Sequence, residues 1–211
     1  MRPVIFTPDN EPYLGRTLLL HLDKIISATM EQNSASKISN NGRAFSEQQK
    51  MARQVSSQAI SIALSIRELI RQGYLFGAHV LLRPVFERSM ILLYIYNYPA
   101  EIKHWSNGWK QGEAPSLPKM IDKIAAKSAS PLDIKSSDVL KSMNSLLHSK
   151  PDSAYYNLSP LGDGRAEFAS SKILNRPELC DSISGDVIPQ LAIIGAMLNH
   201  YFPNLPQIEV H

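Results

Sequence analysis

Cysteine is nearly absent: Cys180 stands alone among 211 residues. An intramolecular disulfide is thereby excluded, and so is any metal cluster built on several thiolates. An excess of charge of one sign is missing too, since 22 Lys and Arg face 19 Asp and Glu for a formal charge of +3. That balance denies the chain the broad basic field typical of many nucleic-acid and membrane-surface proteins. Uninterrupted apolar runs are equally scarce. The best candidate for crossing a bilayer, residues 75–98, is broken by Arg83, Glu87 and Arg88 and carries Pro84, whereas a span needs about 20 predominantly apolar residues. It reads as a core helix. The opening Met1-Arg2-Pro3-Val4 has no basic stretch followed by an apolar segment, which argues against a secretory signal. A cytoplasmic protein without a membrane partner is expected.

Nucleotide and zinc signatures are missing as well. The six histidines, His21, His79, His104, His148, His200 and His211, show no HExxH or paired ligand spacing. Neither GxxxxGK[ST] nor GxGxxG occurs, and Gly162-Asp163-Gly164 reads as a turn rather than a phosphate loop. No metal and no cofactor is expected. Cys180, which follows Pro177 with no base close by in sequence, reads as a packing residue.

What is present is helical periodicity, with apolar residues returning at three and four positions and little two-residue alternation. The expected class is all-α. With 44% hydrophobic residues, residues 1–211 suit one domain, 1–43 supplying an N-terminal helix and loop and 44–211 the bundle. The first helix is placed at 12–32, with Leu14, Leu18, Leu22, Ile25, Ile26 and Met30 along one face. Ser46 and Gln49 form a capping-box signature for a second long helix that Gly73 ends, making a long N-terminal helical hairpin. A third, buried helix is expected over 74–98, then short turns bearing Trp105 and Trp109, a helix at 117–127 and another at 132–148. Residues 150–165 read as a loop, 168–174 stay ambiguous, and a last helix is placed at 184–202 despite Pro189.

Two constellations carry chemistry. His79, Arg83 and Glu87 recur every four residues, forming one polar row on an otherwise apolar helix. Charges in that setting need partners, so the row either fixes helix register as an ion pair or lines a pocket. The second is Met143-Asn144-Ser145-Leu146-Leu147-His148, where Leu140, Met143 and Leu147 form the apolar face and Asn144 and His148 lie at its edge. Histidine suits proton transfer near neutral pH, and an Asn one turn away fixes its tautomer or holds a ligand. A helix-end His also serves as a cap for carbonyl groups. Lys119, Lys123 and Lys127 form a basic stripe that either meets phosphates or is a solvated face. Trp105, Trp109, Tyr155 and Tyr156 either stack bases or pack.

Leu81-Leu82-Arg83-Pro84-Val85-Phe86-Glu87, the apolar helix after it, residues 109–124 with Pro118 and Met120-Ile121, and Asn144 to His148 resemble a bacterial all-helical family. That family is related to the HEPN superfamily (higher eukaryotes and prokaryotes nucleotide-binding). The resemblance covers residues 58–161 and implies a HEPN-like helical bundle. HEPN ribonucleases carry an Arg, a polar residue, three variable residues and a His at a helix end, and usually act as dimers that bring two such motifs together. Here Asn144 is the polar residue and His148 the histidine, while Met143 stands at the Arg position and Lys150 where a Tyr often follows. Arg83 offers a replacement from another helix, with Glu87 orienting it or His148. The resemblance therefore implies a HEPN-like RNA-binding protein or metal-independent ribonuclease in a stress or phage-defence setting, with a composite Arg83, Glu87, Asn144 and His148 site, a homodimer, and RNA as partner. The competing expectation is a catalytically inactive helical interaction module, a toxin partner or complex subunit, in which those four residues stitch the bundle.

Overall fold

The architecture follows from how the long helices begin, end and touch. A computed structural model of the chain describes residues 11–37, 44–110, 114–127, 136–148, 150–170 and 172–205. Helix α2, Glu47–Gln72, starts at a reciprocal capping box: the Ser46 hydroxyl accepts from the Gln49 amide, and the Gln49 side chain accepts from the Ser46 amide. It stops at Gly73, whose φ of 84° is open to glycine and strained for other residues. Both ends lie where the sequence signals put them.

Helix α1 spans Thr17–Ala35, later than the expected 12–32, because Gly15 takes φ 87° and Arg16 is extended. Its buried face also differs: Leu19, Leu22, Ile26, Thr29 and Gln32 point inward, whereas Leu14 and Met30 are exposed. Asp23 pairs with Arg67 and Asn33 with Ser57, so α1 and α2 run antiparallel as a hairpin. The last helix, α8, spans Pro177–Tyr201 and begins before the expected Ser184, since Pro177 sits in its first turn, where a missing amide proton costs nothing. Arg16 bonds Asp181 and Gln32 bonds Asn199, so α8 lies parallel to α1. Gly195 lets the two approach: a Cβ there would stand 2.7 Å from the Gln32 side-chain oxygen. At Gln32 this close seam carries the buried stripe of α1 through a polar residue.

The expected third helix is two. Helix α3, Leu75–Val80, stops at Leu81, and α4, Leu82–Asn97, starts immediately after. Pro84 is the third residue of α4, where the amide would have no intrahelical acceptor, so the break removes the cost of the ring. After a 3-10 turn at Pro99–Glu101 come α5, Ile102–Ser106, and α6, Leu117–Lys127, whose Met120, Ile121 and Ile124 face inward. Helix α7 covers Ser136–Leu147; residues 132–135 of the expected helix lie outside the described residues.

The expected loop at 150–165 is instead a 3-10 helix, Pro151–Asn157, followed by strand β1, Leu158–Gly162, and an antiparallel β2, Arg165–Phe168. Asp163 and Gly164 take φ 51° and 72°, the left-handed pair of a type I′ hairpin turn. This short ribbon leaves the class unchanged: the protein is an all-α bundle. One core runs from Tyr13 to Leu205 and joins α1, α2, α4 and α8 with α6 and α7. Among the described residues no helix is long and apolar enough to cross a membrane.

Leu22 is fully buried on α1. Leu22→Ala is expected to lower unfolding free energy by about 3 kcal/mol, seen as a lower denaturant midpoint at unchanged slope. A change under about 0.5 kcal/mol would show that α1 is not part of the cooperative core.

Candidate functional site

The break at Leu81 places Arg83 in the first turn of α4, beside α7. Its Nε donates to Glu87 Oε1 at 2.8 Å, one turn along the same helix. Its Nη1 donates to Asn144 Oδ1 on α7. Three of the four candidate residues thus form one network across two helices. The Arg83 side chain keeps 26% of its surface and Glu87 37%, so the pair is not the buried ion pair that the apolar context suggested. Water reaches it, and so can a ligand.

His148 follows the last residue of α7. Its backbone amide donates to the Asn144 carbonyl at 3.0 Å, and its imidazole is exposed. It lies one turn beyond Asn144. At the position where the HEPN pattern has Arg, Met143 is buried with Leu140 and Leu146, so this register of α7 points that position into the core. Leu146, not the expected Leu147, completes the apolar face; Leu147 is 42% exposed.

His79, the third member of the polar row, does not join the network. It is buried, its Nδ1 has no hydrogen-bond partner among the described residues, and its ring meets Tyr156 edge-on at 4.3 Å. Burial pulls its pKa down to about 4, so the imidazole is neutral at neutral pH. Cys180 is buried as well, and burial pushes its thiol up to about 11, which disqualifies it as a nucleophile.

The basic stripe is largely occupied. Lys123 Nζ reaches Tyr94 Oη at 3.2 Å, and Lys127 Nζ lies over the Tyr98 ring and bonds the Asn97 carbonyl, where α4 ends. Lys127 therefore serves the C-terminus of α4, and Lys123 is held by Tyr94 of the same helix. Trp105, Trp109 and Tyr156 pack against the core, leaving Tyr155 the exposed member of the aromatic group.

Arg176, which the sequence reading passed over, is buried just before α8. It bonds Glu178, donates Nη1 to the carbonyls of Tyr155 and Leu158 at 3.3 and 3.1 Å, and lies 4.7 Å from the Tyr155 ring centroid. It fastens the base of the hairpin to the bundle. Its only local signal was an Arg before a helix-starting Pro. A cavity of about 410 Å³ opens beside this base, lined by Leu69, Tyr74, Phe76, Gly77, Asn157 and Ala169 among others. None of Arg83, Glu87, Asn144 or His148 lines it.

Among the described residues no cluster of His, Cys, Asp and Glu is placed to hold a metal ion. Comparison of the chain with protein-family models, curated proteins and solved structures finds no match. The site is therefore read from its own residues.

Two outcomes are expected here. Arg83→Ala and Asn144→Ala should each cost about 1 kcal/mol in a denaturant titration, and the double variant less than their sum, because each single change strands the other's partner; strict additivity would mean the bond does not form. His79 supplies a pH signature. The unfolded chain takes up a proton near pH 6.5 that the folded chain refuses until about pH 4, so stability falls as pH drops through that window and levels off below it. The loss should approach about 3 kcal/mol. His79→Phe should flatten that part of the profile, and an equal slope in both proteins would contradict the assignment.

Proposed function

We propose that the protein is a HEPN-like RNA-binding protein acting as a metal-independent ribonuclease, with Arg83, Glu87, Asn144 and His148 as its composite site. The observation that supports this reading is the hydrogen bond from Arg83 to Asn144, which joins α4 to α7 at a solvent-accessible position. A guanidinium has five N–H groups in a rigid fork. Glu87 and Asn144 each take one, which holds the plane fixed and, among the described residues, leaves the others for a phosphate.

In this reading a single-stranded RNA phosphate docks on Arg83. The neighbouring ribose 2′-hydroxyl loses its proton to a base and attacks phosphorus, and the 5′-oxygen of the next nucleotide departs with a proton. His148 acts as general base or acid in that exchange, its imidazole being exposed at the end of α7. Arg83 offsets charge building on the phosphorane, and Glu87 and Asn144 keep it in place. The products are a 2′,3′-cyclic phosphate and a 5′-hydroxyl. A homodimer, a cytoplasmic setting and a role in bacterial stress or phage defence belong to the same proposal through the family resemblance.

A second reading has its own support. Arg83 makes two of its bonds within the chain, as a residue that merely ties α4 to α7 would. In that case the protein is an inactive interaction module, a toxin partner or complex subunit.

Incubating the purified chain with mixed RNAs in EDTA separates them. Cleavage should occur and leave cyclic phosphate ends, and His148→Ala should slow it by about 100-fold or more without moving the melting temperature. Cleavage that survives His148→Ala would remove that residue from the mechanism. Neither cleavage nor binding by the parent across varied RNAs would favour the interaction module.

A further inference from the structure

The hairpin is an arm with one usable edge. In an antiparallel pair, residues alternate between those whose backbone groups face the partner strand and those whose groups face away. The Ala169 amide bonds the Asn157 carbonyl at 2.8 Å, and Gly162 pairs with Arg165 at the turn. By alternation, the backbone groups of Arg165 and Glu167 face β1, and those of Ala166 and Phe168 face outward. Among the described residues nothing pairs with that outer edge of β2, since the sheet holds only these two strands. The other edge, that of β1, carries Pro160, which has no N–H to donate. All four residues of β2 are exposed.

We propose that β2 is the contact edge of a homodimer, pairing antiparallel with β2 of a second copy about a two-fold axis at Ala166. This interface deepens the homodimer of the preceding section, rests on that part of the reading, and is independent of RNA cleavage. Charge pattern selects the occupant. With Ala166 opposite Ala166 of the second copy, Arg165 faces Glu167 of the second copy, and the symmetry repeats the pair. Ala166, with its backbone groups outward, makes a hydrogen-bonded pair, so the Arg165 and Glu167 pairs on either side are of the non-hydrogen-bonded kind, in which side chains come closest. In-register parallel pairing would instead set like charges side by side.

The apolar side of the ribbon is consistent with this. Leu158 is paired with Phe168 and Pro160 with Ala166, so these four share one face, and Phe168 is 69% exposed in the single chain. Doubling the ribbon to four strands brings two such faces side by side and relieves the marginal stability of a lone hairpin. Arg176, clamped on the Tyr155 and Leu158 carbonyls, holds the arm to the bundle, so little ordering is needed on association.

A four-residue strand makes a small interface, and such contacts fall in the transient class. The test is sedimentation equilibrium of the full chain from about 10 to about 300 µM, beside variants checked by circular dichroism and melting temperature. The parent should shift from monomer toward dimer with concentration. Arg165→Glu should weaken association by about tenfold, because two attractive pairs become repulsive. Adding Glu167→Arg to it should restore association. Ala166→Pro removes an outward amide without touching a bond to β1 and should leave a folded monomer. If Ala166→Pro fails to fold, the charge exchange decides alone. A parent that stays monomeric throughout overturns both the interface and the homodimer. A dimer indifferent to these changes overturns the interface and leaves a homodimer made elsewhere.

Discussion

A guanidinium does not give up its proton in a protein, so Arg83 must be solvated or bonded wherever the fold puts it. Its position at the start of α4 meets that demand twice, with Glu87 one turn on and Asn144 across on α7. Much of the local architecture is consistent with this constraint. The chain breaks at Leu81, which puts Arg83 in a first turn rather than mid-helix. Pro84 then occupies a position where its missing amide proton is harmless. Helix α7 turns Met143 inward and Asn144 toward Arg83, so the helix anchored in the core by one residue is tied to α4 by the next.

The parts of the fold that could be read in advance were those governed by contacts within a few residues. Ser46 with Gln49 and the glycine at 73 define α2 because cap chemistry is local, and Met120, Ile121 and Ile124 define α6 because a short helix with one apolar stripe has little freedom. Helix α1 resisted because its buried stripe runs through Thr29 and Gln32, polar positions that an apolar pattern does not mark, and Gln32 is interior because it lies against Gly195 of α8. The hairpin resisted for a different reason. Asp163-Gly164 signals a tight turn, yet Leu-Ser-Pro-Leu-Gly before it and Arg-Ala-Glu-Phe after it lack the β-branched residues that mark strands.

The site divides along the same line. Arg83 with Glu87 is an i, i+4 pair that any helical reading finds, whereas the link to Asn144 spans 61 residues and depends on tertiary packing. The apolar surroundings of Arg83 suggested burial, but the pair lies near the rim of the bundle and keeps contact with water. Arg176 was invisible because its role is to hold carbonyls of a 3-10 helix and strand that the sequence reading had as loop. His79 shared the spacing of the polar row and not its fate, since two residues before the break it points into the interior toward Tyr156.

The most direct test of the central claim observes the Arg83 Nε–H itself by NMR, at low temperature, with and without a short single-stranded RNA. A slowly exchanging Arg83 Nε–H resonance is expected in the free protein, sharpened by its bond to Glu87 and by the restraint from Asn144. That resonance should shift on RNA titration, and Asn144→Ala should weaken the shift. A rapidly exchanging Arg83 signal, or RNA binding that leaves a protected Arg83 signal unmoved, would contradict it.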